Sequence, residues 1–344
     1  MGGSNSGVMR LLRFAWLALA SFCFCVQAIP SRAQSQPTTP LPQGAIHVSV
    51  DRVNVGVIVT DPRGRFLEGL HREDFVVLDN GDPQPLTDFA AVEEPAQVLL
   101  LIEAGPAVYL LEGGHVQAAY SLLNGLSAGD RVAVVKYADA PAAIVDFTPD
   151  KIAAASALDG LSFNLGFGSL NLSSSVLTVL DWLRQVKGKK TIVLLSTGVD
   201  TSPPNEWDAL LQKLKTSDVR ILAVSLGGEL RSPQNDRKKK TSLDHTAPGS
   251  PQFDEADRLL KGIAGAAGGR AYFPRSAKEF SAVYAEIAQL VRHEYSLAFA
   301  PVLRDGKIHS IGVHISPAVA ANPSVSNYRV DHRQAYLAPP PDPQ

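Results

Sequence analysis

The sequence predicts an α/β protein built on a doubly wound, mostly parallel sheet, with a β appendage formed by the flanking N- and C-terminal segments. In the middle of the chain, continuous apolar runs such as Ile192–Leu195 and Ile221–Val224 alternate with helical segments. Runs of this kind are typical of strands that helices cover on both faces. At both ends the chain instead alternates apolar and polar residues, which is the pattern of strands with one exposed face.

The first residues are predicted to form a signal peptide over residues 1–28. Arg10 and Arg13 precede an apolar run from Phe14 to Val26, and the run ends in Val26-Gln27-Ala28, where small residues occupy both expected cleavage positions. The run is too short for a permanent transmembrane helix. Residues 29–44 are rich in Pro, Ser and Gln, and this composition predicts a flexible tether.

Cleavage after Ala28 would leave a mature chain without cysteine, because Cys23 and Cys25 both lie in the signal peptide. The composition then excludes a disulfide framework, a thiol nucleophile and a zinc–thiolate site. The mature chain would carry 30 basic and 34 acidic side chains, a formal charge of −4. That balance gives no indication of a nucleic-acid partner.

Residues 45–92 are predicted to form a small N-terminal β segment. The alternation from Ile46 to Thr60 predicts a strand, which ends in a turn at Asp61-Pro62-Arg63-Gly64. Further on, Phe75–Leu78 is followed by Asn80-Gly81. This order predicts a β-hairpin, because Asn-Gly accommodates the positive φ angles of a tight turn.

Residues 95–293 are predicted to form the central α/β domain, in which strands and helices alternate. The predicted strands cover residues 98–103, 131–137, 143–147, 191–196, 220–226 and 270–274. The predicted helices cover approximately residues 108–126, 150–160, 171–187, 205–216, 253–267 and 277–293.

Residues 294–337 are predicted to form a C-terminal β segment, with strands at 295–300, 307–316 and 327–331. A Pro-rich tail follows at residues 338–344. We expect the strands of the two terminal segments to pair with each other.

Three segments carry a resemblance to a known family: Val98–Ala107, Thr191–Asp200 and Arg220–Gly227. With the order of elements over roughly residues 45–337, they resemble the von Willebrand factor A domain, a Rossmann-like α/β fold, in particular the form found in secreted acidobacterial proteins. The resemblance implies a domain that binds other proteins through the loops at one end of its sheet.

The same resemblance implies a metal-ion-dependent adhesion site, in which the motif Asp-x-Ser-x-Ser holds Mg²⁺ or Mn²⁺. The matching residues here are Glu103, Gly105 and Ala107, so two hydroxyl ligands are missing. Ser169 matches the family's later Thr ligand, and Thr197 stands where a second Asp is expected, with Asp200 three residues farther on.

A hard divalent cation needs about six oxygen ligands, including one or two carboxylates. Glu103 and Ser169 alone fall short of that number, so the sequence predicts a degenerate site without a metal or any other cofactor. The alternative is a non-standard Mg²⁺ or Mn²⁺ site in which Glu103, Ser169 and Asp200 recruit the ion together with water.

Ligands of open α/β sheets gather at the carboxyl ends of the strands, and we expect Glu103, Ser169, Thr197 and Asp200 to lie together there. Beside them we expect the long loop 228–252, which carries a cluster of cations. That cluster comprises Arg231, Arg237, Lys238, Lys239 and Lys240. The predicted partner-binding face therefore comprises Glu103, Gly105, Ala107, Ser169, Thr197, Asp200, Lys238, Lys239 and Lys240.

The basic loop has two interpretations. A run of lysines is typical of a solvated, mobile loop. Alternatively, Lys238, Lys239 and Lys240 meet a partner's carboxylate that the family would bind through its metal ion. Neutralising the three lysines without any change in partner binding would contradict the second interpretation.

Glu103 and Asp200 also have structural interpretations. Glu103 would accept hydrogen bonds from the backbone of the Ala104–Ala107 turn, beside the partial positive charge of a helix N-terminus. Asp200 would cap the turn before Pro203-Pro204, with Asn205 as the better cap of the helix that follows.

Other candidate motifs fail on their context. Gly125-Leu126-Ser127-Ala128-Gly129 matches the pattern of a hydrolase nucleophile, but that mechanism needs a strand before the Ser, and here a predicted helix ends. His309 and His314 are five residues apart on a predicted strand, so they point to opposite faces and share no simple metal site.

We therefore expect a secreted or periplasmic protein-binding module, acting in adhesion or as a scaffold, that is not an enzyme and works without a bound metal. The alternatives are metal-dependent adhesion and hydrolysis. Binding of Mg²⁺ or Mn²⁺ by calorimetry would favour the first alternative, and turnover of esters or peptides would favour the second. The expected partner is a protein; a nucleic acid and a permanent transmembrane helix are not expected.

Overall fold

The computed structural model describes residues 52–109, 114–162, 168–230, 251–316 and 327–341. All of them belong to a compact unit that spans Ser49–Gln344. The predicted signal peptide and tether, the last three residues of the Pro-rich tail, and Lys238, Lys239 and Lys240 with most of their loop lie outside the described residues.

The strands are numbered in chain order. They are β1 (Val53–Thr60), β2 (Phe75–Asp79), β3 (Asp82–Gln84), β4 (Leu86–Glu93), β5 (Ala96–Glu103), β6 (Arg131–Tyr137), β7 (Pro141–Thr148), β8 (Lys189–Ser196), β9 (Arg220–Ser225), β10 (Ala271–Tyr272), β11 (His293–Phe299), β12 (Ile308–Ile315), β13 (Arg329–Asp331) and β14 (Ala335–Leu337).

The α-helices are numbered in the same way, and a 3₁₀ turn at Arg72–Asp74 precedes β2. They are α1 (Pro106–Tyr109), α2 (Gly114–Gly125), α3 (Lys151–Asp159), α4 (Leu172–Leu183), α5 (Pro204–Thr216), α6 (Gly227–Leu230), α7 (Pro251–Ala266) and α8 (Ala277–Leu290). None of the helices in the described ranges is long and apolar enough to cross a membrane.

The central sheet has six strands in the order β10-β9-β8-β5-β6-β7. The neighbours from β10 to β6 run parallel, and β7 joins the edge antiparallel to β6. A doubly wound, mostly parallel sheet between helices is the fold class that the sequence predicts, and the prediction is confirmed.

The apolar runs of the central strands are buried on both faces of the sheet. In β5, Leu100 and Ile102 pack with α2, α3 and α8, whereas Leu99 and Leu101 pack with α4, α5 and α7. Because successive side chains of a strand point to opposite faces, a strand between two helical layers must be apolar at nearly every position. This explains why the central strands could be recognised from their composition.

The β appendage consists of two antiparallel four-stranded sheets, with the strand orders β13-β1-β11-β4 and β14-β12-β2-β3. The sheets share one core, with Val55 and Leu297 on one side and Val77 and Val313 on the other. β1 pairs with β11, and β2 pairs with β12. The expected pairing of the terminal segments is therefore confirmed.

The predicted hairpin is also confirmed. β2 pairs with β3 across Asn80 and Gly81, which both have positive φ angles of 50° and 93°. Two strands of the appendage, β4 and β14, and the short α6 were not predicted. The predicted helix at 277–293 ends earlier, at Leu290, because His293 already begins β11.

Buried ion pairs connect the appendage to the central domain. Arg270, just before β10, donates through Nε to Asp331 Oδ2 of β13 at 2.9 Å and through a terminal nitrogen to Thr60 Oγ1 of β1 at 3.1 Å. Arg220 of β9 donates to Glu294 Oε2 of β11 at 2.9 Å. These bonds fix the position of the appendage relative to the central domain.

The two histidines of β12 lie on opposite faces, as predicted. His309 is buried, and its ring nitrogens lie 2.9 Å from Asp79 Oδ1 and 3.1 Å from Asp305 Oδ1. His314 is exposed. His309 therefore belongs to the packing of the appendage.

Candidate functional site

The candidate site lies at the carboxyl ends of three neighbouring strands of the central sheet. Glu103 is the last residue of β5, Tyr137 the last of β6, and Ser196 the last of β8. Because β5 lies between β8 and β6, the Glu103 carboxylate is close to both the Tyr137 and the Ser196 hydroxyls, which also contact each other. All three side chains are buried.

The Glu103 carboxylate accepts hydrogen bonds from several protein donors. Oε2 accepts from the Thr197 backbone N–H at 2.7 Å, Thr197 Oγ1 at 2.8 Å and Ser196 Oγ at 3.1 Å. Tyr137 OH donates to Ser196 Oγ at 2.7 Å and lies 3.3 Å from Glu103 Oε2. Thr197 Oγ1 also lies 3.0 Å from Oε1. The carboxylate is thus an internal acceptor that joins the ends of the three strands.

The electrostatics of this cluster follow from its burial. Burial raises the pKa of the Glu103 carboxyl, and the hydrogen bonds from Thr197 and Ser196 offset only part of that rise. Burial and the adjacent Glu103 carboxylate also raise the pKa of Tyr137. Tyr137 therefore keeps its proton at neutral pH and acts as a hydrogen-bond donor.

The structural interpretation of Glu103 needs one correction. The expected donors were the backbone N–H groups of the Ala104–Ala107 turn, but the backbone donor is Thr197 N–H, from the loop after β8. The Ala104 N–H instead donates to the Tyr137 carbonyl oxygen at 2.8 Å. The carboxylate thus holds a neighbouring strand rather than its own turn.

Asp200 binds the first turn of α4. Its Oδ1 accepts from Leu172 N–H at 3.0 Å and from Ser202 N–H at 2.9 Å, and its Oδ2 accepts from Ser173 N–H at 3.2 Å. The bond from Ser202 N–H confirms that Asp200 caps its own turn. The bonds to α4 were not predicted, and the expectation for Asn205 was wrong: α5 begins at Pro204, so Asn205 lies inside the helix.

Two loops meet beside Asp200, and we call residues 168–171 and 198–202 the loop face. Leu170 N–H donates to Thr201 Oγ1 at 2.8 Å, and Thr201 N–H donates to the Leu170 carbonyl oxygen at 2.8 Å. Asn171 Nδ2 donates to the Asp139 carbonyl oxygen after β6 at 2.9 Å. These bonds hold the loops in a defined position relative to the sheet.

The predicted partner-binding face is only partly accessible. Glu103, Gly105 and Thr197 are buried, so these residues offer no surface to a partner, and this part of the expectation is corrected. A Cβ on Gly105 would lie 2.7 Å from Leu170 Cδ2, which shows that Leu170 packs over this position.

The remaining predicted residues are distributed as follows. Ser169 is exposed and Asp200 is half-buried. Ala107 begins the short α1, and its side chain lies outside the described part, as do Lys238, Lys239 and Lys240. Among the described side chains of the predicted face, Ser169 is thus the exposed one and Asp200 the partly accessible one.

The residues at this site do not fit a divalent metal ion as they stand. The oxygens of Glu103 and Asp200 already accept hydrogen bonds from protein donors. Within the described ranges, no three His, Cys, Asp or Glu side chains are close enough together to hold an ion. A metal at Glu103 and Asp200 would have to displace bonds that tie β8 to β5 and the loop face to α4.

Ser127 has no nucleophilic arrangement around it. It follows α2 and precedes β6, and its backbone N–H donates to Asp130 Oδ2 at 2.7 Å. Asp130 Oδ1 accepts from Ala96 N–H at 2.8 Å. The Gly-x-Ser-x-Gly pattern is therefore a turn, as the sequence predicts.

Sequence reasoning missed Tyr137 and Ser196. Ser196 lies in one of the three segments that carry the resemblance, but no role is predicted for it, and Tyr137 lies outside all three. The signal that could have found them is their position, since each is the last residue of a strand beside β5.

Comparison with known proteins gives structural likenesses only. No family model and no curated protein sequence matches the chain. A von Willebrand factor type A protein from Catenulispora acidiphila is 10% identical over 80% of this chain and 76% of its own, with a TM-score of 0.45. An aerotolerance-related membrane protein from Bacteroides fragilis is 15% identical over 58% and 98%, with a TM-score of 0.44.

A third similar structure is the manganese-loaded TRAP protein of Plasmodium vivax. It is 13% identical over 77% of this chain and 100% of its own, with a TM-score of 0.42. Likenesses this distant assign no ligand or site residue to this chain, and its place in the von Willebrand factor A family stays a proposal.

Proposed function

We propose that this chain is an exported von Willebrand factor A-like protein, of the form found in secreted acidobacterial proteins, that binds another protein through its loop face. The observation that carries the proposal is the loop face itself. It joins two loops by reciprocal hydrogen bonds between Leu170 and Thr201, and it exposes Ser169 and the apolar residue Val199, which is 44% exposed.

A fixed loop surface on a rigid sheet suits protein recognition, because little conformational freedom is lost on binding. Exposed apolar side chains in such a surface supply contact area for a partner. Binding rather than catalysis is proposed because the one nucleophile motif is a turn.

We propose further that the module works without a bound metal, at a degenerate adhesion site. The support is the set of hydrogen bonds that Glu103 and Asp200 already accept. In a metal-dependent adhesion site these carboxylates would be turned towards the ion. Here they hold the strand ends and the first turn of α4.

Export is proposed from the first 28 residues, with a periplasmic or extracellular location for the mature chain. The signal peptide pattern of Arg10, Arg13 and the apolar run after them supports it.

Site-specific photo-crosslinking in the producing cells tests the loop face. A photoreactive residue at Val199 or Ser169 is expected to capture the same protein. Ile152 is the matched control, because it is 79% exposed but lies in the first turn of α3. In that turn Lys151 contacts Asp130, just before β6. Ile152 therefore lies near the amino ends of the strands, whereas the loop face lies at their carboxyl ends.

Capture of the same protein from Ile152, or no capture from Val199 and Ser169, would contradict the proposal. A second arm replaces Lys238, Lys239 and Lys240 by Gln. If the basic loop meets a partner's carboxylate, capture from Val199 falls; unchanged capture would leave the loop as a solvated segment.

A further inference from the structure

A polar cavity of about 190 Å³ lies at the end of the central sheet opposite the candidate site. Lys189, the first residue of β8, and Arg220, the first of β9, line it from the central domain. Glu294 of β11 and Arg333, between β13 and β14, line it from the appendage. The cavity thus lies where the two parts of the fold meet.

Two buried nitrogen donors in this cavity, one on each of two cationic side chains, have no hydrogen-bond acceptor among the described residues. Lys189 Nζ, on a side chain that is only 7% exposed, lies 3.6 Å from Glu294 Oε2 and has no hydrogen-bond partner among the described residues. Arg333 Nε is also buried without a partner in that part of the chain, although Nη2 donates to the Asn54 carbonyl oxygen at 2.6 Å. Buried donors nearly always have partners, so two in one cavity indicate a missing acceptor.

The charges around the cavity do not balance. Arg220 is paired with Glu294 at 2.9 Å, and Lys190 is paired with Asp218 at 2.7 Å. Each of these carboxylates is thereby matched by a cation. Glu294 is shared, because Lys189 Nζ also lies within ion-pair distance of it at 3.6 Å. Four lining cations thus face two lining carboxylates and leave a net positive charge, and Lys189 Nζ and Arg333 Nε are the donors that lack hydrogen-bond acceptors among the described residues.

Glycines shape the cavity wall. A Cβ at Gly56 would lie 2.8 Å from Glu294 Oε2, and a Cβ at Gly268 would lie 2.4 Å from Arg333 N. Gly268 also has a φ of +68°, which favours glycine. Backbone at these positions can therefore approach Glu294 and Arg333 closely and keep them beside the cavity.

We propose that this cavity binds a small oxyanion between Lys189 and Arg333. The volume is below the roughly 300–1,000 Å³ of pockets for drug-sized ligands, so it suits an ion of the size of inorganic phosphate or a short carboxylate. The Lys189 ammonium acts as a compact charge, and Arg333 Nε–H donates directionally to an anion oxygen. The Arg220–Glu294 pair holds the wall in place.

The first test is binding of inorganic phosphate to the whole mature chain, by calorimetry and thermal unfolding, with chloride at the same ionic strength as reference. We expect saturable binding that weakens by about tenfold or more in Lys189→Met and in Arg333→Gln, as lost charged hydrogen bonds imply. The matched control is Arg258→Gln, since Arg258 forms an exposed pair with Glu255 on α7. Succinate in place of phosphate shows whether a carboxylate is the preferred anion.

Absence of saturable binding for both anions would overturn the proposal. So would equal phosphate affinity in Lys189→Met and the wild type.

A second readout needs no variant. Burial lowers the pKa of Lys189 to about 8, with Arg220 acting in the same direction and Glu294 and Glu94 opposing it. The cavity-lining charges Lys190, Asp218 and Arg333 complete its surroundings. A bound anion favours the charged ammonium and raises this pKa.

Acetylation of Lys189 is therefore followed by mass spectrometry over a pH series. We expect the labelling midpoint near pH 8 to move upward when phosphate is added. A midpoint that stays in place would show a cavity filled by water and would overturn the proposal.

Discussion

Replacement of Glu103 by Ala removes the acceptor at the centre of the candidate site. Three buried donors then lose their bond to the carboxylate: the Thr197 N–H, the Thr197 hydroxyl and the Ser196 hydroxyl. An unsatisfied buried donor costs about 1–3 kcal/mol. At about 1 kcal/mol for each of the three donors, the expected loss in free energy of unfolding is about 3 kcal/mol, and the cavity left by the side chain adds to it.

Urea unfolding at neutral pH, followed by far-ultraviolet circular dichroism, measures this loss. The matched control is Ser169→Ala at the exposed loop face, for which a change within about 0.5 kcal/mol is expected. Glu103→Gln keeps the shape and one acceptor oxygen, so its loss is smaller, about 1 kcal/mol. If Glu103→Ala is as stable as Ser169→Ala, the internal role of this carboxylate is refuted.

The pH dependence follows from the raised pKa of the Glu103 carboxyl. The folded state binds this proton more tightly than the unfolded chain, so the contribution of Glu103 to stability falls as pH rises from the ordinary carboxyl range to the raised pKa. Relative to Glu103→Gln, the wild type should therefore gain stability on acidification through that window. A relative loss would contradict the dominance of burial over the hydrogen bonds.

The remaining variants test the other buried contacts by the same urea unfolding. Asp200→Ala removes the acceptor of the first turn of α4, and we expect a loss of about 1–2 kcal/mol; no loss would mean that water replaces it. Arg270→Met removes the buried cation shared by Asp331 and Glu286 and, among the described residues, leaves Asp331 with only the exposed Arg329. It should cost about 3 kcal/mol, whereas the exposed Arg258→Gln should cost under about 1 kcal/mol; equal costs would contradict the account. Gly268→Ala should lower the free energy of unfolding, because its Cβ would lie 2.4 Å from Arg333 N. Gly265→Ala, whose Cβ would have nothing within 4 Å, should raise it by up to about 1 kcal/mol. A less stable Gly265→Ala than Gly268→Ala would contradict this packing.

The sequence predicts the central fold well because helices cover its strands on both faces of the sheet. Leu100 and Leu101 face different helical layers, and the resulting unbroken apolar run cannot be mistaken for a surface strand. β4 was missed for the opposite reason. All eight of its residues are exposed or half-buried, so its pairing with β11 leaves no clear alternation in the sequence.

The candidate site was harder to predict than the fold. The position of Glu103 follows from its place at the end of β5, but its partners come from strands that are distant in the sequence. Asp200 illustrates the same difficulty, since it binds Leu172 and Ser173, 28 and 27 residues before it. Local patterns show which residues can accept hydrogen bonds, and only the assembled sheet determines which donors reach them.

Thermal unfolding of the mature chain, residues 29–344, tests the central claim most directly. The protein is measured first in EDTA and then with millimolar Mg²⁺, Mn²⁺ or Ca²⁺, because a ligand that binds the folded state raises the unfolding temperature. If the carboxylates of Glu103 and Asp200 remain bound to their hydrogen-bond donors in the protein, none of the ions changes the unfolding temperature. A saturable rise of several degrees that disappears in Glu103→Ala would contradict this account and establish a metal-dependent site.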